Sequence, residues 1–322
     1  MRALIASLLL LATPVLARDP VLSPPIDCVL GQTCYIQNYV DADPGPGAAD
    51  FTCGTLSYDS HKGTDFALPV TVDMWQGVDV LASAPGTVKA IRDGMEDFSQ
   101  DAEGAPDVTG KECGNGVVID HGDGWSTQYC HMMNGTIAVQ KGQRVGASTV
   151  LGKVGLSGMT EFPHVHLAIR HNGKIIDPFN PTGLIACGKD AMLNGTLWDR
   201  DMIYHTGGLL TLGIDTKVPD YESVKAGTAG NDPLRSDSPA LVVFGFGYGT
   251  LKGDILRMSI FGPEGEVIAH DALLEKDQAR MFRAVGRKNP GTWPLGGYTA
   301  TVQLLRKGEE IDRLEERFRI DK

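Results

Sequence analysis

Short apolar runs separated by glycine-containing turns dominate residues 51–181, and this pattern most narrows the fold. Such runs are typical of short antiparallel β-strands, and 40 glycines in 322 residues agree with turn-rich β structure. The segment His121-Gly-Asp-Gly124 is a strong hairpin-loop signal between two of the runs. The predicted strands are Thr64–Leu68, Val78–Ser83, Gly86–Ile91, Gly116–Asp120, Ser126–His131, Val150–Val154 and His164–Arg170.

A second group of strand-like runs follows near the end of the chain. Several half-buried strands within so short a stretch predict a small β-sandwich of immunoglobulin-like type over residues 239–322. The runs are Ala240–Phe246, Ile255–Phe261, Glu266–His270, Gly297–Leu305 and Arg313–Ile320. We therefore expect a mainly β protein with an extended N-terminal arm (18–50), an antiparallel β domain (51–182), a connecting region (183–238) and the β-sandwich.

Residues 1–17 have the layout of a secretory signal peptide. Arg2 supplies the positive start, Ala3–Leu11 the apolar core, and Val15–Ala17 a small-residue cleavage site. An uncleaved anchor is the alternative. Because no other apolar stretch approaches bilayer length, we expect no transmembrane helix in the mature chain. The sequence thus predicts export to the periplasm or to the extracellular cell-wall space.

The net charge of −11 argues against a nucleic-acid partner, because phosphate binding needs a basic surface. It does not argue against a polyanionic cell wall as substrate, provided that the binding cleft is locally neutral.

Six cysteines in an exported chain indicate disulfides, although six cysteines allow many pairings. Cys28 and Cys34 are close enough for a local loop, and Cys113 and Cys130 flank the expected hairpin. Those two pairs leave Cys53 with Cys187, which would tie the start of the first domain to its end. A cysteine-rich zinc site is the less favoured alternative, because no CxxC pair occurs.

The strand His164–Arg170 carries two histidines that should share one face, since side chains two apart on a strand point the same way. Val165 and Leu167 would then face the opposite side. Two neighbouring imidazoles can form half of a metal site or an acid–base pair. The alternative is two ordinary hydrogen-bonded histidines on a sheet.

Two further segments offer candidate partners for this pair. His61 and Asp65 provide an imidazole and a carboxylate in a loop that enters a strand. His131 ends the strand after the hairpin loop. Taken separately, the first is explained equally well as an exposed polar loop and the second as a lone strand-end histidine.

In this order, the segments resemble the lysostaphin/LytM-type zinc endopeptidases, which cut peptides of bacterial peptidoglycan. The resemblance covers roughly residues 58–181. It includes His61-x-Gly-x-Asp65, Val80-Leu-Ala-Ser-Ala-Pro-Gly-Thr-Val88, Gly116-Val-Val-Ile-Asp-His-Gly-Asp-Gly124, Tyr129-x-His131-Met132, Lys141-Gly-Gln-Arg-Val145, Gly155-x-Ser-Gly158, His164-x-His166-Leu167 and Asp177-Pro178.

The resemblance implies a LytM-like peptidase domain at residues 51–182 and a division of roles within it. His61, Asp65 and His166 would bind one Zn²⁺ per chain, which would acidify a water molecule and polarise the scissile carbonyl. His131 and His164 would be the catalytic histidines. The sequence does not assign the base to either of them. Peptidoglycan peptides would be the substrate.

Two features depart from the family pattern. Cys130 stands where a small residue such as glycine is usual, and the acidic segment 93–111 is longer than the corresponding family loop. We interpret this segment as a surface insertion at the rim of a groove.

Other roles remain open from sequence. The main alternative function is a non-catalytic LytM-like protein that binds the wall or activates another hydrolase. Such proteins typically lose ligands or catalytic histidines, and this chain keeps all five. The N-terminal arm could supply an inhibitory side chain, and the C-terminal domain could bind wall or a protein partner.

Overall fold

The computed structural model describes residues 19–183, 195–230 and 232–322, and it is mainly β with antiparallel sheets. The strands are β1 Tyr35–Asn38, β2 Thr64–Ala67, β3 Asp79–Leu81, β4 Gly86–Arg92, β5 Asn115–Gly122, β6 Trp125–Met132, β7 Arg144–Val145, β8 Val150–Lys153, β9 His164–His171, β10 Lys174–Ile175, β11 Gly208–Asp215, β12 Ala240–Thr250, β13 Ile255–Gly262, β14 Gly265–Leu273, β15 Gln278–Lys288, β16 Gly296–Arg306 and β17 Glu309–Ile320. The helices are α1 Thr71–Trp75 and α2 Tyr221–Ala226.

The first large sheet has the strand order β1-β2-β9-β6-β5-β4-β7, with β10 paired to β9, and every pair is antiparallel. A two-stranded sheet, β3-β8, lies beside it. The strands predicted between residues 64 and 170 are confirmed with shifts of a residue or two at their ends. The strands β2, β9 and β6, which carry the candidate site residues, are neighbours in this sheet although they are far apart in sequence.

The N-terminal arm becomes the edge strand of this sheet. Strand β1 pairs with β2, and Tyr35, Ile36 and Tyr39 are buried in the same core as the sheet. The predicted disulfide Cys28–Cys34 forms just before β1. The arm is therefore held to the first domain as an added strand of its sheet.

The hairpin between β5 and β6 turns where the sequence predicted it. Gly122, Asp123 and Gly124 all have positive φ, which glycine and aspartate tolerate in a tight turn. His121 donates or accepts hydrogen bonds at both ring nitrogens, to the Pro85 carbonyl and to Thr127 Oγ1, each at 2.8 Å. These two hydrogen bonds tie the hairpin to the neighbouring chain, so the role of His121 is structural.

The C-terminal strands form two sheets, β11-β12-β15 and β14-β13-β16-β17, which share one hydrophobic core. This three-plus-four arrangement is that of an immunoglobulin-like sandwich in which the fourth strand pairs with the third. Strand β11 lies within the stretch expected to be a connecting region, and it pairs along β12. Strand β15 was not predicted, because its alternation of apolar and charged residues is weak.

Two disulfides are present in the described residues, Cys28–Cys34 and Cys113–Cys130, and both were predicted. The expected pairing of Cys53 with Cys187 and the signal peptide at residues 1–17 involve positions outside the described ranges, so both stay predictions. None of the helices among the described residues is long and apolar enough to cross a membrane.

The Cys113–Cys130 disulfide should stabilise the fold more than Cys28–Cys34, because it closes a longer loop (sequence separation 17 against 6). The chain-entropy model gives about 3 kcal/mol for the first and about 2 kcal/mol for the second. Urea unfolding of the two Cys→Ser pairs, each against the parent protein, measures both losses. The prediction would be contradicted if removal of Cys28–Cys34 lowered the free energy of unfolding as much as removal of Cys113–Cys130, or more.

Candidate metal centre

Three side chains bring one donor atom each to a single point at the end of β2 and β9. The distance from His61 Nε2 to His166 Nδ1 is 3.2 Å, from His166 Nδ1 to Asp65 Oδ1 2.8 Å, and from His61 Nε2 to Asp65 Oδ1 3.3 Å. Donors around a tetrahedral zinc ion are about 3.3 Å apart, given metal–ligand bonds of about 2.0–2.1 Å. Two imidazoles and one carboxylate at this spacing fit a divalent metal ion.

Antiparallel pairing of β2 with β9 creates this arrangement. Asp65 lies directly opposite His166 in the register of the two strands, and His61 comes from the loop that leads into β2. The predicted face alternation on β9 is confirmed, since Val165 and Leu167 are fully buried in the core on the other side.

Hydrogen bonds to outer atoms leave the three donor atoms free to face one another. His61 Nδ1 donates to the Tyr39 carbonyl at 2.7 Å, so its lone pair is on Nε2. Asn38 Nδ2 donates to Asp65 Oδ2 at 3.0 Å, which leaves Oδ1 for a metal. Asn38 was not identified from sequence, because nothing in the chain marks an asparagine in an irregular arm as a neighbour of a distant carboxylate.

The electrostatics keep the carboxylate ionised. Burial opposes ionisation of Asp65, but the charges of His61 and His164 and hydrogen bonds from His164 and His166 hold its pKa well below the usual value. Burial likewise opposes protonation of His61, yet the neighbouring Asp65 raises its pKa. The pKa of His166 is lowered, chiefly by burial.

The two predicted catalytic histidines face each other beside this cluster. The ring centroids of His131 and His164 are 4.6 Å apart, and His164 Nε2 lies 3.5 Å from Asp65 Oδ1. His131 Nδ1 donates to the Ser157 carbonyl at 2.8 Å and His164 Nδ1 to the Phe162 carbonyl at 2.9 Å. A carbonyl can only accept, so each neutral ring has its lone pair on Nε2.

His131 reaches this position through an unusual backbone conformation. It has φ of 61° at the end of β6, in the left-handed region that histidine enters more often than most residues. Its N–H donates to the Cys113 carbonyl at 2.8 Å, next to the Cys113–Cys130 disulfide. Burial, and then the charges of His164 and His166, lower the pKa of His131 well below its ordinary value. It is therefore neutral at pH 7.

All five residues singled out from sequence thus lie together, at one end of three adjacent strands. Tyr58 packs over His61 with ring centroids 4.4 Å apart. Thr160 Oγ1 lies 3.1 Å from His164 Nδ1 and was not identified from sequence. A lone threonine in a loop carries no signal of that contact.

Residues 59–178 match the model of peptidase family M23. The chain is 31% identical over 117 residues to the peptidoglycan DD-endopeptidase ShyA of Vibrio cholerae, across 36% of this chain and 22% of ShyA. It is 32% identical over 120 residues to the DD-carboxypeptidase/endopeptidase Mpg of Neisseria meningitidis serogroup B, across 37% of this chain and 22% of Mpg. The chain thus spans about a fifth of the length of these curated relatives.

Among solved structures, the catalytic domain of the antimicrobial peptidase lysostaphin from Staphylococcus simulans aligns at 20% identity with a TM-score of 0.28. That alignment covers 44% of this chain and 85% of that one. Over residues 59–178, the match to peptidase family M23 confirms the resemblance that the sequence motifs indicated.

Gly63 should be required for metal binding. A Cβ built on Gly63 would lie 2.5 Å from His166 Nε2 and 2.7 Å from the Leu167 carbonyl oxygen, so Gly63→Ala must displace His166. We expect about a 10- to 100-fold loss of zinc affinity, the range seen when the surroundings of metal ligands are disturbed. Competition titration with a chromogenic chelator measures it.

The matched control is Gly146→Ala, whose added Cβ would have its nearest neighbour at 3.9 Å. Its zinc affinity should equal that of the parent protein. Equal zinc affinities for the two variants would show that metal binding does not depend on the present position of His166.

Proposed function

We propose that this protein is an exported zinc metalloendopeptidase that hydrolyses peptide bonds in peptidoglycan stems or cross-links. The observation that carries the proposal is the convergence of His61, Asp65 and His166 with two further histidines at one open groove. The peptidoglycan peptidases among the relatives support the same substrate class.

Residues His61, Asp65 and His166 would hold the metal. A zinc ion in this setting supplies Lewis-acid chemistry, because it lowers the pKa of water and polarises a carbonyl group. Only one of the three ligands carries a negative charge, which leaves the ion with net positive charge for that purpose.

His131 and His164 would manage protons at their Nε2 atoms. Each ring is held by a carbonyl at Nδ1, so each presents a basic nitrogen to the groove. A ring in this state can accept a proton from a water molecule and, once protonated, can donate to the leaving amine or to a developing oxyanion. The two rings lie 4.6 Å apart with their planes tilted by 45°, so positive charges on both at once would repel each other.

The alternative function is a non-catalytic wall-binding protein or an activator of another hydrolase. The retention of both catalytic candidates, each with its own carbonyl partner, favours the enzyme. A protein that only bound the wall would have no need of two oriented imidazoles beside a set of metal donors.

The roles of His164 and His166 should separate experimentally. We expect His166→Ala to lose bound zinc and activity together, because it removes a metal donor. His164→Ala should keep zinc and lose about 10²- to 10⁴-fold in kcat, the usual contribution of a positioned acid or base. Zinc stoichiometry and mass spectrometry of muropeptides released from purified peptidoglycan, with and without chelator, measure both.

Wild-type protein that binds zinc but releases no muropeptides would contradict the peptidase and favour the alternative. His171→Ala is a suitable control, because this ring stacks on Trp125 with centroids 4.3 Å apart, outside the groove.

Asn38 provides a test of the inhibitory arm. Removal of residues up to 50 would delete β1 and part of the core, so loss of folding would mask any effect on activity. Asn38→Ala leaves the strand in place and removes only the amide that holds Asp65 Oδ2. We expect zinc affinity to fall about 10- to 100-fold, with activity at limiting zinc falling in parallel. A rise in activity would instead support inhibition by the arm.

A further inference from the structure

The groove that contains the metal centre has a second wall, contributed by the C-terminal sandwich. The groove has a volume of about 730 Å³. The site residues Asp65, His131, His164 and His166 line one side, and residues 276–280, at the start of β15, line the other. A substrate that reaches the metal donors therefore contacts both parts of the chain.

Specific contacts fix this second wall against the peptidase sheet. Gln37 Nε2, on β1, donates to the Ala279 carbonyl at 3.1 Å. Lys225, on α2, forms an ion pair with Asp101 of the insertion at 2.6 Å. The insertion thus borders the groove, where the sequence predicted a rim.

Arg280 is the side chain that joins the wall to the catalytic residues. Its guanidinium carbon lies 4.0 Å from the centroid of the Phe162 ring, a distance typical of a close cation–π contact. Phe162 in turn stacks on His164, with centroids 4.4 Å apart and an interplanar angle of 25°. Arg280 is therefore separated from the His164 ring by a single aromatic ring.

Arg280 has no carboxylate partner among the described residues. Its Nε and Nη2 atoms are buried and make no hydrogen bond. The neutral Tyr35 hydroxyl interacts with Arg280 and donates its own hydrogen to Gln37 Oε1 at 3.0 Å. Lys225 also lines the groove, but Asp101 and Glu222 already pair with it.

A half-buried guanidinium with two unbonded nitrogens and no carboxylate partner is costly, so its retention points to a ligand that supplies an anionic acceptor. Arginine binds carboxylates through two parallel N–H···O bonds, and its fork is held ready here by stacking on Phe162. The groove is the side from which such a carboxylate can arrive.

We propose that Arg280 is a specificity-determining residue that binds a free carboxylate of the wall peptide. The proposal rests on the proposed peptidase function and adds the feature of the substrate that is recognised. The Phe162 ring lies 4.0 Å from the Arg280 guanidinium carbon and 4.4 Å from the His164 ring. Because an extended residue spans about 3.3–3.6 Å, a carboxylate on Arg280 would lie about two residues from a scissile bond held beside His164. It is either a terminal α-carboxylate or a side-chain carboxylate of the peptide.

The test uses the full chain with zinc and three synthetic versions of one cross-linked stem-peptide dimer. One version has free carboxylates, one is amidated at the terminal α-carboxyl group, and one is amidated at the side-chain carboxyl group near the scissile bond. Wild type should cleave one amidated version with kcat/KM about 10- to 100-fold lower than the free peptide, the range for a charged hydrogen bond. The amidated version with the lower kcat/KM identifies the carboxylate that Arg280 binds.

Arg280→Gln should lower kcat/KM on the free peptide by the same factor and leave the sensitive amidated version unchanged, so that the preference disappears. Arg287→Gln is the matched control, since Arg287 is an exposed residue of the same strand that does not line the groove. It should retain the preference. The proposal would be overturned if Arg280→Gln lowered kcat/KM equally on all three peptides, or lowered it on none of them.

A binding measurement separates this proposal from the peptidase itself. Calorimetric titration of the free dimer into zinc-free wild type and Arg280→Gln needs no cleavage. Weaker binding by the variant, removed by the same amidation, supports the carboxylate site even if wild type cleaves nothing and the proposed function fails. Equal binding by the two proteins overturns the role of Arg280, whatever the cleavage result.

Discussion

The antiparallel pairing of β2 with β9 is the constraint on which the rest of the site depends. It sets Asp65 directly opposite His166, and the next strand of the sheet, β6, sets Cys130 opposite the same histidine. His131 then follows at the end of β6. A slip of one residue in either pairing would turn these side chains into the core, because strand faces alternate. The fully buried Val165 and Leu167 prevent that slip, so core packing and site geometry are secured by the same register.

Backbone carbonyls complete what the register begins. Three of the histidines at the site, His61, His131 and His164, each donate Nδ1–H to a carbonyl from another turn or loop. This fixes the tautomer of each ring without adding a charged partner that would compete for a metal ion. Asp65 is then the one carboxylate among these rings, and its depressed pKa follows from the charges of His61 and His164 and from hydrogen bonds of His164 and His166. The left-handed backbone of His131 is the local strain that this arrangement requires.

The sequence predicted the five site residues because their motifs, taken in order, resemble those of the lysostaphin/LytM family; each motif alone is also explained by an ordinary polar residue. It also predicted most strands, because their apolar runs are bounded by glycine. It did not predict Asn38, Thr160 or Arg280, whose importance comes from contacts across long sequence separations. Strand β11 was missed for a related reason: its runs are weak, and its identity depends on pairing along β12. A residue whose role depends on contacts far away in sequence is not marked by the hydrophobic periodicity of its own segment.

The position of β15 against the groove has a practical consequence for biochemistry on this chain. A fragment trimmed to the zinc-binding half would keep the donors and both basic rings, yet it would present an open trench in place of a two-sided channel. Under the proposed function, such a fragment would keep the catalytic groups and lose part of the substrate selectivity of the full chain. The sandwich acts in this view as part of the substrate filter, not as a remote appendage.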